Sequence, residues 1–396
     1  MADYRVIVFS GCYTLDGGGV STHLRMLLGE LDRNAMDFVR VLGRSRMDAV
    51  VDRLLSYRGR RYGNDTRESA NLMWHIGSLA RKLRRVVGAP THKPTVIHCH
   101  DRACVMAAMM VCGDLPWPIV QTAHAPFWQQ YQMEGAGMLT QLVARAMDPQ
   151  VVRGCDHVIA VDDLQRDLIL EQDPAASVTV IPNAVDVDLL DRVASEPSVN
   201  RFGTPYIIVA RHFHHKCGVH VAIEAFARSR CRDSHLLVLL GRGHERQRLM
   251  ELTQKLNLSS RVIFLGARPY SEALRLIRNA RISVIPSIPV GQYIEATSLT
   301  MLETLGFGVP LIASSIGGLK QVLEGTGAGV LVEPNDPDAL AGALDQLIDD
   351  AETRSVLAKR GRALVREHYA TGPWFRRIAA VYEGALLTRG GNAVQR

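Results

Sequence analysis

Short apolar runs recur along the chain, and each is followed by a polar or glycine-rich stretch. Runs of this length bounded by turn residues indicate buried β-strands. Stretches with helical periodicity lie between several of these runs, and strands that alternate with helices predict parallel α/β sheets. With their polar exits, the runs occupy residues 5–9, 95–101, 118–124, 158–161, 178–181, 205–210, 236–240, 261–265, 282–286 and 309–313. The pattern therefore predicts an α/β fold with doubly wound parallel sheets.

The chain of 396 residues is long enough for two domains. Residues 187–204 lack a periodic pattern and are predicted to be a linker. We therefore expect a first domain over residues 1–190 and a second over residues 204–372. Residues 336–369 predict two amphipathic helices, and a last helix is predicted at 373–390.

Apolar residues make up 47% of the chain and charged residues 22%, which is ordinary for a globular protein. No apolar run reaches about 18 residues, so we expect no membrane-spanning helix. The first residues predict a buried strand instead of a signal peptide. Seven cysteines are scattered without a C-x-x-C pair. We therefore expect reduced thiols in a cytoplasmic protein.

Charge is distributed unevenly along the chain, whose formal net charge is +6. Residues 1–200 carry 21 basic and 23 acidic side chains, whereas the remainder carries 25 and 17, which suits a phosphate-bearing ligand. Residues 40–93 carry 13 basic and 4 acidic side chains. A helix at 72–87 either lies on anionic lipid at the inner face of the membrane or is a solvated surface helix, and we favour the second interpretation. No nucleic-acid-binding motif is present, so we expect no nucleic-acid partner.

The loop and helix around Thr297 carry the strongest candidate site. Thr297 and Ser298 are residue types that cap helices, and Leu299 begins a periodic apolar run. The first backbone N–H groups of a helix and its partial positive charge suit a phosphate. Glu295 lies before this helix, and Glu303 lies about one and a half turns inside it. Carboxylates accept hydrogen bonds from sugar hydroxyls, so this segment predicts a site for a phosphorylated sugar.

A second candidate site follows the strand at 205–210. Arg211 and Lys216 stand between this strand and a predicted helix, where two cations can clamp a diphosphate and stabilise the charge of a leaving group. The same loop is rich in metal-ligating side chains, but no second ligand cluster with zinc-finger spacing accompanies them, and we expect no metal here. These side chains are His212, His214, His215, Cys217 and His220.

The first domain contributes a glycine loop. Gly18 and Gly19 lie between the first strand and a helix that Ser21 or Thr22 is expected to cap. Glycines allow a ligand to approach the backbone closely. The dinucleotide fingerprint G-x-G-x-x-G is absent here.

Histidines stand at the ends of two strands of the first domain. His100 and His124 follow the predicted strands, and ligands of open α/β sheets bind at this edge. We assign His124 to the site and keep His100 as the second choice. His98 lies inside its strand and is expected to be structural.

These motifs together resemble the donor site of retaining glycosyltransferases with the GT-B fold, in particular glycosyltransferase family 4. Glu295 and Glu303 match the E-x7-E pair of that family. Arg211 and Lys216 match its R-x4-K clamp. The sequence IPNAVD at 181–186 matches the hallmark that ends the first domain of the family.

The resemblance implies a role for each residue. Glu295 would approach the transferred sugar, Glu303 would bind the ribose, and His124 would contact the sugar and phosphate. Arg211 and Lys216 would stabilise the leaving diphosphate, which makes them catalytic candidates together with Glu295 and His124. The other expected donor-binding residues are Gly18, Gly19, Gly266, Arg268, Thr297, Ser298 and Leu299.

The resemblance also implies a fold and a reaction. Two Rossmann-like domains are expected to face each other across a cleft that holds a nucleotide-diphosphate sugar, with the helix at 373–390 packed back on the first domain. A hexosyl unit, in the favoured case from a UDP-sugar, would move to a hydroxyl acceptor with retention and by front-face attack. We expect neither a metal nor a cofactor. The acceptor stays open among a lipid-linked glycan, a glycoside and a natural product.

The sequence departs from the family pattern at three places. Thr297 and Ser298 replace the usual Phe-Gly, Ala184 replaces a glycine, and Cys217 precedes Gly218, which leaves the donor sugar open. A nicotinamide dehydrogenase is excluded, because the glycine fingerprint and the acidic residue about 20 positions later are both missing. A sugar-nucleotide epimerase of the same fold and a non-catalytic nucleotide-sugar-binding protein stay open as alternatives.

Overall fold

The computed structural model describes residues 3–11, 18–43, 64–88, 91–124, 128, 136–291 and 294–394, with side chains for all of these except 64–71 and 390–394. The chain folds into two units. The first comprises Met1–Pro182 with Trp374–Arg396, and the second comprises Asn183–Pro373. Each unit is built on one sheet of six parallel strands, which confirms the predicted α/β class.

The sheet of the first unit changes direction at its first strand. Its strands are β1 (Arg5–Ser10), β2 (Asp37–Leu42), β3 (Thr95–Cys99), β4 (Ile119–Ala123), β5 (His157–Ala160) and β6 (Val178–Val180). Their order across the sheet is β2-β1-β3-β4-β5-β6. The chain therefore leaves β1 to one side and returns to its other side at β3. The carboxyl ends of two such strands form a topological switch point, where open α/β sheets bind ligands.

Helices cover the sheet of the first unit. They are α1 (Gly19–Arg33), α2 (Asn64–Val87), α3 (Arg102–Cys112), α4 (Met138–Arg153) and α5 (Asp163–Gln172). The last helix of the chain, α14 (Thr371–Val394), brings the residues from Trp374 onward to this unit. Its Tyr382 is fully buried, and the Tyr382 hydroxyl lies 2.6 Å from Nδ1 of His98 in β3.

Helix α2 belongs to the basic segment 40–93. Its apolar side chains Ile76, Leu79 and Leu83 are buried in the core of the first unit. Arg84 and Arg85 are exposed on the opposite side. The amphipathic pattern of this helix therefore serves packing against its own unit, and its basic side faces outward.

The sheet of the second unit has the same type of switch point. Its strands are β7 (Tyr206–Ala210), β8 (Leu236–Leu240), β9 (Val262–Gly266), β10 (Ile282–Ile285), β11 (Leu311–Ser314) and β12 (Val330–Val332). They are ordered β12-β11-β10-β7-β8-β9, so β7 and β10 are neighbours and the chain changes direction between them. Residues that follow β7 and β10 must therefore meet at one edge of the sheet.

The helices of the second unit pack around this sheet and bury Phe213 and Phe226 in its core. They are α6 (Val187–Ser195), α7 (Val219–Arg228), α8 (Arg246–Lys255), α9 (Tyr270–Arg278), α10 (Leu299–Phe307), α11 (Gly317–Leu323), α12 (Pro337–Asp349) and α13 (Ala351–His368). Short 3-10 turns occur at His215–Cys217 and Arg230–Asp233.

The stretch 187–204, which we expected to be a linker, contains a helix. Helix α6 occupies its first half, because Asp186 accepts a hydrogen bond from the N–H of Leu189 and caps the helix. Leu190 is buried, and its side chain lies where a Cβ on Gly306 would stand. The second unit therefore begins at Asn183, whereas the first domain was expected to run to residue 190.

Helix α1 begins earlier than its sequence suggests. Gly18 is its N-cap, with φ of 82°, and Ser21 and Thr22 are buried inside the helix instead of capping it. A glycine adopts this left-handed conformation without the penalty that a Cβ brings.

None of the helices in the described part of the chain combines the length and the apolar character that crossing a membrane requires.

Candidate functional site

Arg211 and Glu295 form an ion pair in the second unit. Arg211 follows β7 directly, Glu295 lies in the loop before α10, and Nη2 of the arginine is 2.8 Å from Oε2 of the glutamate. Their side chains are only 11% and 13% exposed. Burial alone would raise the pKa of Glu295. The charges of Arg211 and Lys216, together with hydrogen bonds from Arg211 and Ser287, lower it by more than burial raises it, so the pKa lies below its usual value. The carboxylate is therefore held in its ionised form.

The guanidinium of Arg211 also donates hydrogen bonds to two serine hydroxyls. It donates to the hydroxyl of Ser298 at 3.2 Å and to the hydroxyl of Ser287, also at 3.2 Å. Ser287 is fully buried and follows β10, the strand beside β7. We did not predict Ser287. Its position could have identified it, because it follows the carboxyl end of a predicted strand. We selected the histidines of the first unit by the same rule.

The N-terminus of α10 begins at the predicted residues. Ser298 is the N-cap and Leu299 is the first helical residue. Within the described part of the chain, no side chain caps this turn, since the Ser298 hydroxyl accepts from Arg211 instead. Thr297 is buried, and its carbonyl accepts from the side-chain amide of Asn183 at 2.8 Å. These contacts fix the orientation of the first turn of α10, and helix starts suit anions in general.

Two glycines at the start of α11 hold the loop of Glu295 in place. The N–H of Gly318 donates to the carbonyl of Glu295 at 2.9 Å. A Cβ on Gly318 would stand 2.3 Å from the backbone nitrogen of Thr297, and one on Gly317 would stand 2.2 Å from the carbonyl oxygen of Glu295. Only glycine allows this approach of one backbone to another.

Glu303 lies inside α10 and is only 5% exposed. The hydroxyl of Tyr270, the first residue of α9, donates to its Oε1 at 2.8 Å. This bond fixes the orientation of the carboxylate. Tyr270 was not singled out from the sequence, because nothing along the chain shows that α9 and α10 lie side by side.

Lys216 lies in the 3-10 turn His215–Cys217, and its charge is one of the causes that lower the pKa of Glu295. The carbonyl of Lys216 accepts from the N–H of Ile288 at 2.9 Å, which links the turn to the segment after β10. Gly218 ends the turn with φ of 61°, and a Cβ there would stand 1.7 Å from the carbonyl oxygen of Pro286. The carboxyl edge of the sheet therefore brings together four predicted site residues, namely Arg211, Lys216, Glu295 and Ser298.

Gly266 and Arg268 lie at the neighbouring strand end. Gly266 ends β9, and its carbonyl accepts from the N–H of Gly241 at 3.1 Å. A Cβ on Gly241 would stand 1.9 Å from the carbonyl oxygen of Arg211, so Gly241 connects Gly266 to the Arg211 strand end. Arg268 lies on the surface and is 3.5 Å from Glu272.

Histidines form a cluster in the first unit. Nδ1 of His100 lies 3.2 Å from Nε2 of His124, and the ring of His23 packs edge-on against His124 with centroids 4.5 Å apart. Burial lowers the pKa of His124 well below its usual value, and the neighbouring imidazoles lower it further. His124 is therefore a neutral donor or acceptor. Gly18 is exposed, and a Cβ there would meet open space; Gly19 begins α1 beside it.

His98 is buried between two hydroxyl groups. Its Nδ1 lies 2.6 Å from the hydroxyl of Tyr382 and its Nε2 lies 2.8 Å from that of Thr122. Burial lowers the pKa of His98 to about 3. Both ring nitrogens of His98 are hydrogen-bonded inside the core, which is typical of a histidine with a structural role.

Two family descriptions match the chain, one for each half. The model described as "Glycosyltransferase Family 4" matches residues 17–189. The model described as "Glycosyl transferases group 1" matches residues 194–364.

Relatives match along most of the chain. A glycogen synthase of Mycobacterium tuberculosis is 28% identical over 76% of this chain and 72% of its own length. A D-inositol 3-phosphate glycosyltransferase of Corynebacterium diphtheriae is 27% identical over 94% of this chain and 91% of its own length. Among solved structures, a protein of Anabaena in complex with UDP-glucose matches with a TM-score of 0.70 at 15% identity, over 96% of this chain and 99% of its own. At that identity, the last match shows the fold alone.

Proposed function

Because this chain is a family 4 glycosyltransferase with the GT-B fold, we propose that it transfers a hexosyl unit from a nucleotide-diphosphate sugar to a hydroxyl acceptor. The observation that supports this proposal most is the group of Arg211, Glu295 and Ser298 at the N-terminus of α10. It combines a buried cation, an ionised carboxylate and a helix start at one strand edge. We favour UDP as the nucleotide in this proposal.

The charges of this group suit a diphosphate. Arg211 and Lys216 contribute two positive charges and Glu295 one negative charge, which leaves one positive charge before a ligand arrives. The start of α10 adds roughly half a positive charge. A departing nucleoside diphosphate gains negative charge as the glycosidic bond breaks, so cations fixed in a buried site stabilise the transition state more than the ground state.

The two carboxylates are assigned to the two sugars of the donor. Glu295 accepts hydrogen bonds from hydroxyls of the transferred hexose while Arg211 keeps it ionised. Glu303, oriented by Tyr270, accepts from the ribose hydroxyls. Gly266 and Arg268 are assigned to the nucleoside side of the donor, which lies beyond the diphosphate.

We assign the reaction to front-face attack with retention. The bond between the anomeric carbon and the phosphate oxygen breaks, and the acceptor oxygen bonds to the same face of that carbon. The acceptor proton passes to the departing phosphate oxygen. Neutral His124 acts as a hydrogen-bonding group for the sugar and phosphate, with Gly18 and Gly19 at the backbone of the same unit.

Counter-charge from Arg211 and Lys216 makes a metal ion unnecessary in this proposal. The chain contains Asp-x-Asp tripeptides at 186–188 and 336–338, but Asp186 caps α6 and Asp336 caps α12 through backbone N–H groups. We expect transfer to continue at full rate in excess chelator. Strict dependence on Mn²⁺ would contradict this assignment.

A donor screen tests the proposed function. Thermal unfolding of the full chain with UDP-, GDP- and TDP-sugars is expected to show stabilisation by UDP-sugars first. Incubation of the stabilising sugar with hydroxyl acceptors, followed by NMR of the product, is expected to show an unchanged anomeric configuration. An inverted product would overturn the assignment of front-face attack. A change of the donor sugar without any acceptor would indicate an epimerase instead.

The acceptor and the cellular location are further parts of the proposal. We place the enzyme in the cytoplasm. The name of the Corynebacterium relative favours a phosphorylated polyol, while lipid-linked glycans, other glycosides and natural products remain in the acceptor screen. Residues 44–63 and 89–90 of the basic segment 40–93 lie outside the described residues, and among the described ones the basic side of α2 is the surface that we assign to a contact with a membrane. Sedimentation with anionic vesicles tests that contact.

A further inference from the structure

Three metal-ligating side chains converge in the second unit beside the turn of Lys216. His215 lies in that 3-10 turn, His220 in the first turn of α7, and Glu245 immediately before α8. One ligating atom of each lies within 4.8 Å of the others. The sequence led us to expect no metal at His215 and His220, but Glu245 adds a third ligand that the spacing along the chain does not show. We propose that these three side chains form a binding site for a divalent transition metal such as Zn²⁺, separate from the donor site.

The spacing of these atoms is close to that of a coordination shell. Nδ1 of His215 is 3.7 Å from Oε1 of Glu245. Bonds of about 2.0–2.2 Å in a tetrahedral site place neighbouring ligand atoms about 3.3–3.6 Å apart. The rings of His215 and His220 stack almost in parallel, with centroids 5.1 Å apart, so one ring must rotate before a nitrogen of each can face the same ion. The His215 side chain is 48% exposed and is therefore the one that would rotate.

His220 carries a buried polar atom that a metal would satisfy. Its Nδ1 is buried and makes no hydrogen bond with any residue that the structure describes. Buried polar atoms in native proteins are nearly always paired, so an exception calls for an explanation such as a bound water or ion. His215 and Glu245 are the metal-ligating neighbours of the His220 side chain.

Carboxylates near His220 could balance the charge of a divalent cation. Oε1 of Glu245 accepts from Nη1 of Arg248 at 2.9 Å, a bond that the metal would replace. Glu224 stands four residues after His220 on α7, and residues with that spacing lie on one face of a helix. Both line a cavity of about 270 Å³ together with Glu245. The complete lining is His220, Glu224, Glu245, Arg248, Leu249, Glu251, Leu252 and Lys255. Its three carboxylates outnumber its two cations, and a mixed nitrogen and oxygen ligand set suits Zn²⁺, Co²⁺ or Ni²⁺.

The histidine cluster of the first unit competes for the same assignment. His23, His100 and His124 also place ligating atoms within 4.8 Å of one another. That group consists of imidazoles alone, whereas the group in the second unit supplies a carboxylate. His124 is moreover assigned to the substrate. The site of the second unit is therefore the one that we infer, and variants of the two units separate them.

Calorimetric titration of the chelator-treated full chain with ZnCl₂ tests the site. The wild type is expected to bind Zn²⁺, and His220→Ala and Glu245→Gln are each expected to weaken binding by at least about 10–100-fold. His244→Ala is the matched control, because it removes an exposed imidazole adjacent to Glu245 but outside the three ligands. This variant is expected to bind as the wild type does.

Co²⁺ provides a second measurement. The visible absorption of a nitrogen- and oxygen-ligated Co²⁺ ion is expected in the wild type and in His244→Ala, and is expected to disappear in His220→Ala. Circular dichroism confirms that each variant is folded. A wild type without micromolar Zn²⁺ affinity would overturn the inference. Binding that survives His220→Ala but disappears in His124→Ala would overturn it too, because the ion would then lie in the first unit.

Discussion

The guanidinium of Arg211 lies 2.8 Å from the carboxylate of Glu295 and joins the end of β7 to the loop before α10. The cation assigned to the diphosphate is thus already the partner of the carboxylate assigned to the sugar. Arg211 has donors enough for both, since a guanidinium carries five N–H groups in a planar fork. A bound diphosphate would share this cation with Glu295 instead of displacing the carboxylate.

Glu295→Ala is expected to lower kcat by about 10²–10³-fold, in the range found when one group that stabilises a transition state is removed. The KM for the donor is expected to change much less, because Arg211, Lys216 and the start of α10 still bind the diphosphate. Steady-state transfer kinetics measure both constants. Glu333→Ala removes an exposed carboxylate of the same unit and serves as the control. Normal kinetics of Glu295→Ala would refute the assignment.

Arg211→Met is expected to destabilise the second unit by about 3–5 kcal/mol, because it leaves a buried carboxylate without its cation. The double variant Arg211→Met/Glu295→Gln is expected to recover part of this loss, with a coupling energy of about 1–3 kcal/mol. Denaturant unfolding of the two single variants and the double variant measures that coupling.

The pair of Arg268 and Glu272 provides the comparison, because both side chains are about one-third exposed. The same cycle, Arg268→Met with Glu272→Gln, is expected to give a coupling of only about 0–1 kcal/mol. Equal coupling in the two cycles would show that burial of Arg211 and Glu295 adds nothing to their interaction.

Strands were predicted well where apolar runs were continuous. The run at 236–240 became β8 with the same bounds, because a strand buried on both faces reads as an uninterrupted apolar segment. Strand β2 was not predicted. It lies at the edge of its sheet and carries Asp37 and Arg40, so its sequence is too polar to give that signal.

The candidate site was predicted only as far as its motifs extend along the chain. Ser298 was expected at a helix start and is the N-cap of α10. Its hydrogen bond to Arg211, and those of Ser287 and Tyr270 to charged residues, depend on which strands and helices are neighbours. Strand order in a doubly wound sheet is set by packing of the whole unit, and local periodicity carries no information on it.

Tyr270→Phe is expected to weaken UDP binding about fivefold, since the loss of one hydrogen bond to a partly buried carboxylate costs about 1 kcal/mol. Glu303→Ala is expected to weaken it more, because the acceptor itself is removed. Calorimetric titration with UDP measures both changes. Tyr206→Phe is the matched control, because its buried hydroxyl donates to the carbonyl of Leu276 and not to Glu303. An equal loss of affinity in Tyr206→Phe would point to a general loss of stability.

Gly318→Ala is expected to displace the Glu295 loop and to reduce transfer at least tenfold, because the new methyl group would stand 2.3 Å from the nitrogen of Thr297. Transfer kinetics and thermal unfolding together measure the effect. Gly342→Ala in α12 is the control, since a Cβ there meets no atom within 4 Å. Replacing a helical glycine by alanine is expected to stabilise the chain by about 0.4–1 kcal/mol. Unaltered transfer by Gly318→Ala would show that the loop does not need this contact.

Acid is expected to destabilise the first unit through His98. In the folded chain its pKa is lowered from 6.5 to about 3, chiefly by burial and also by the charge of His23. Between these values the unfolded chain binds a proton at this position and the folded chain does not, so stability decreases as the pH falls from about 6.5. One such group contributes about 1.4 kcal/mol per pH unit. Tyr382 and Thr122 face its two nitrogens and remain uncharged throughout this range.

His98→Gln removes this titrating group. The slope of the unfolding free energy against pH between pH 6 and 4 is therefore expected to fall by the amount that corresponds to about one bound proton, whatever the stability of the variant at pH 7. Denaturant unfolding at several pH values measures the slope. His92→Gln is the control, because His92 is an exposed histidine at the surface of the same unit. Equal slopes in the wild type and His98→Gln would contradict this prediction. They would mean that the buried imidazole of His98 takes up its proton in the folded chain as it does in the unfolded chain.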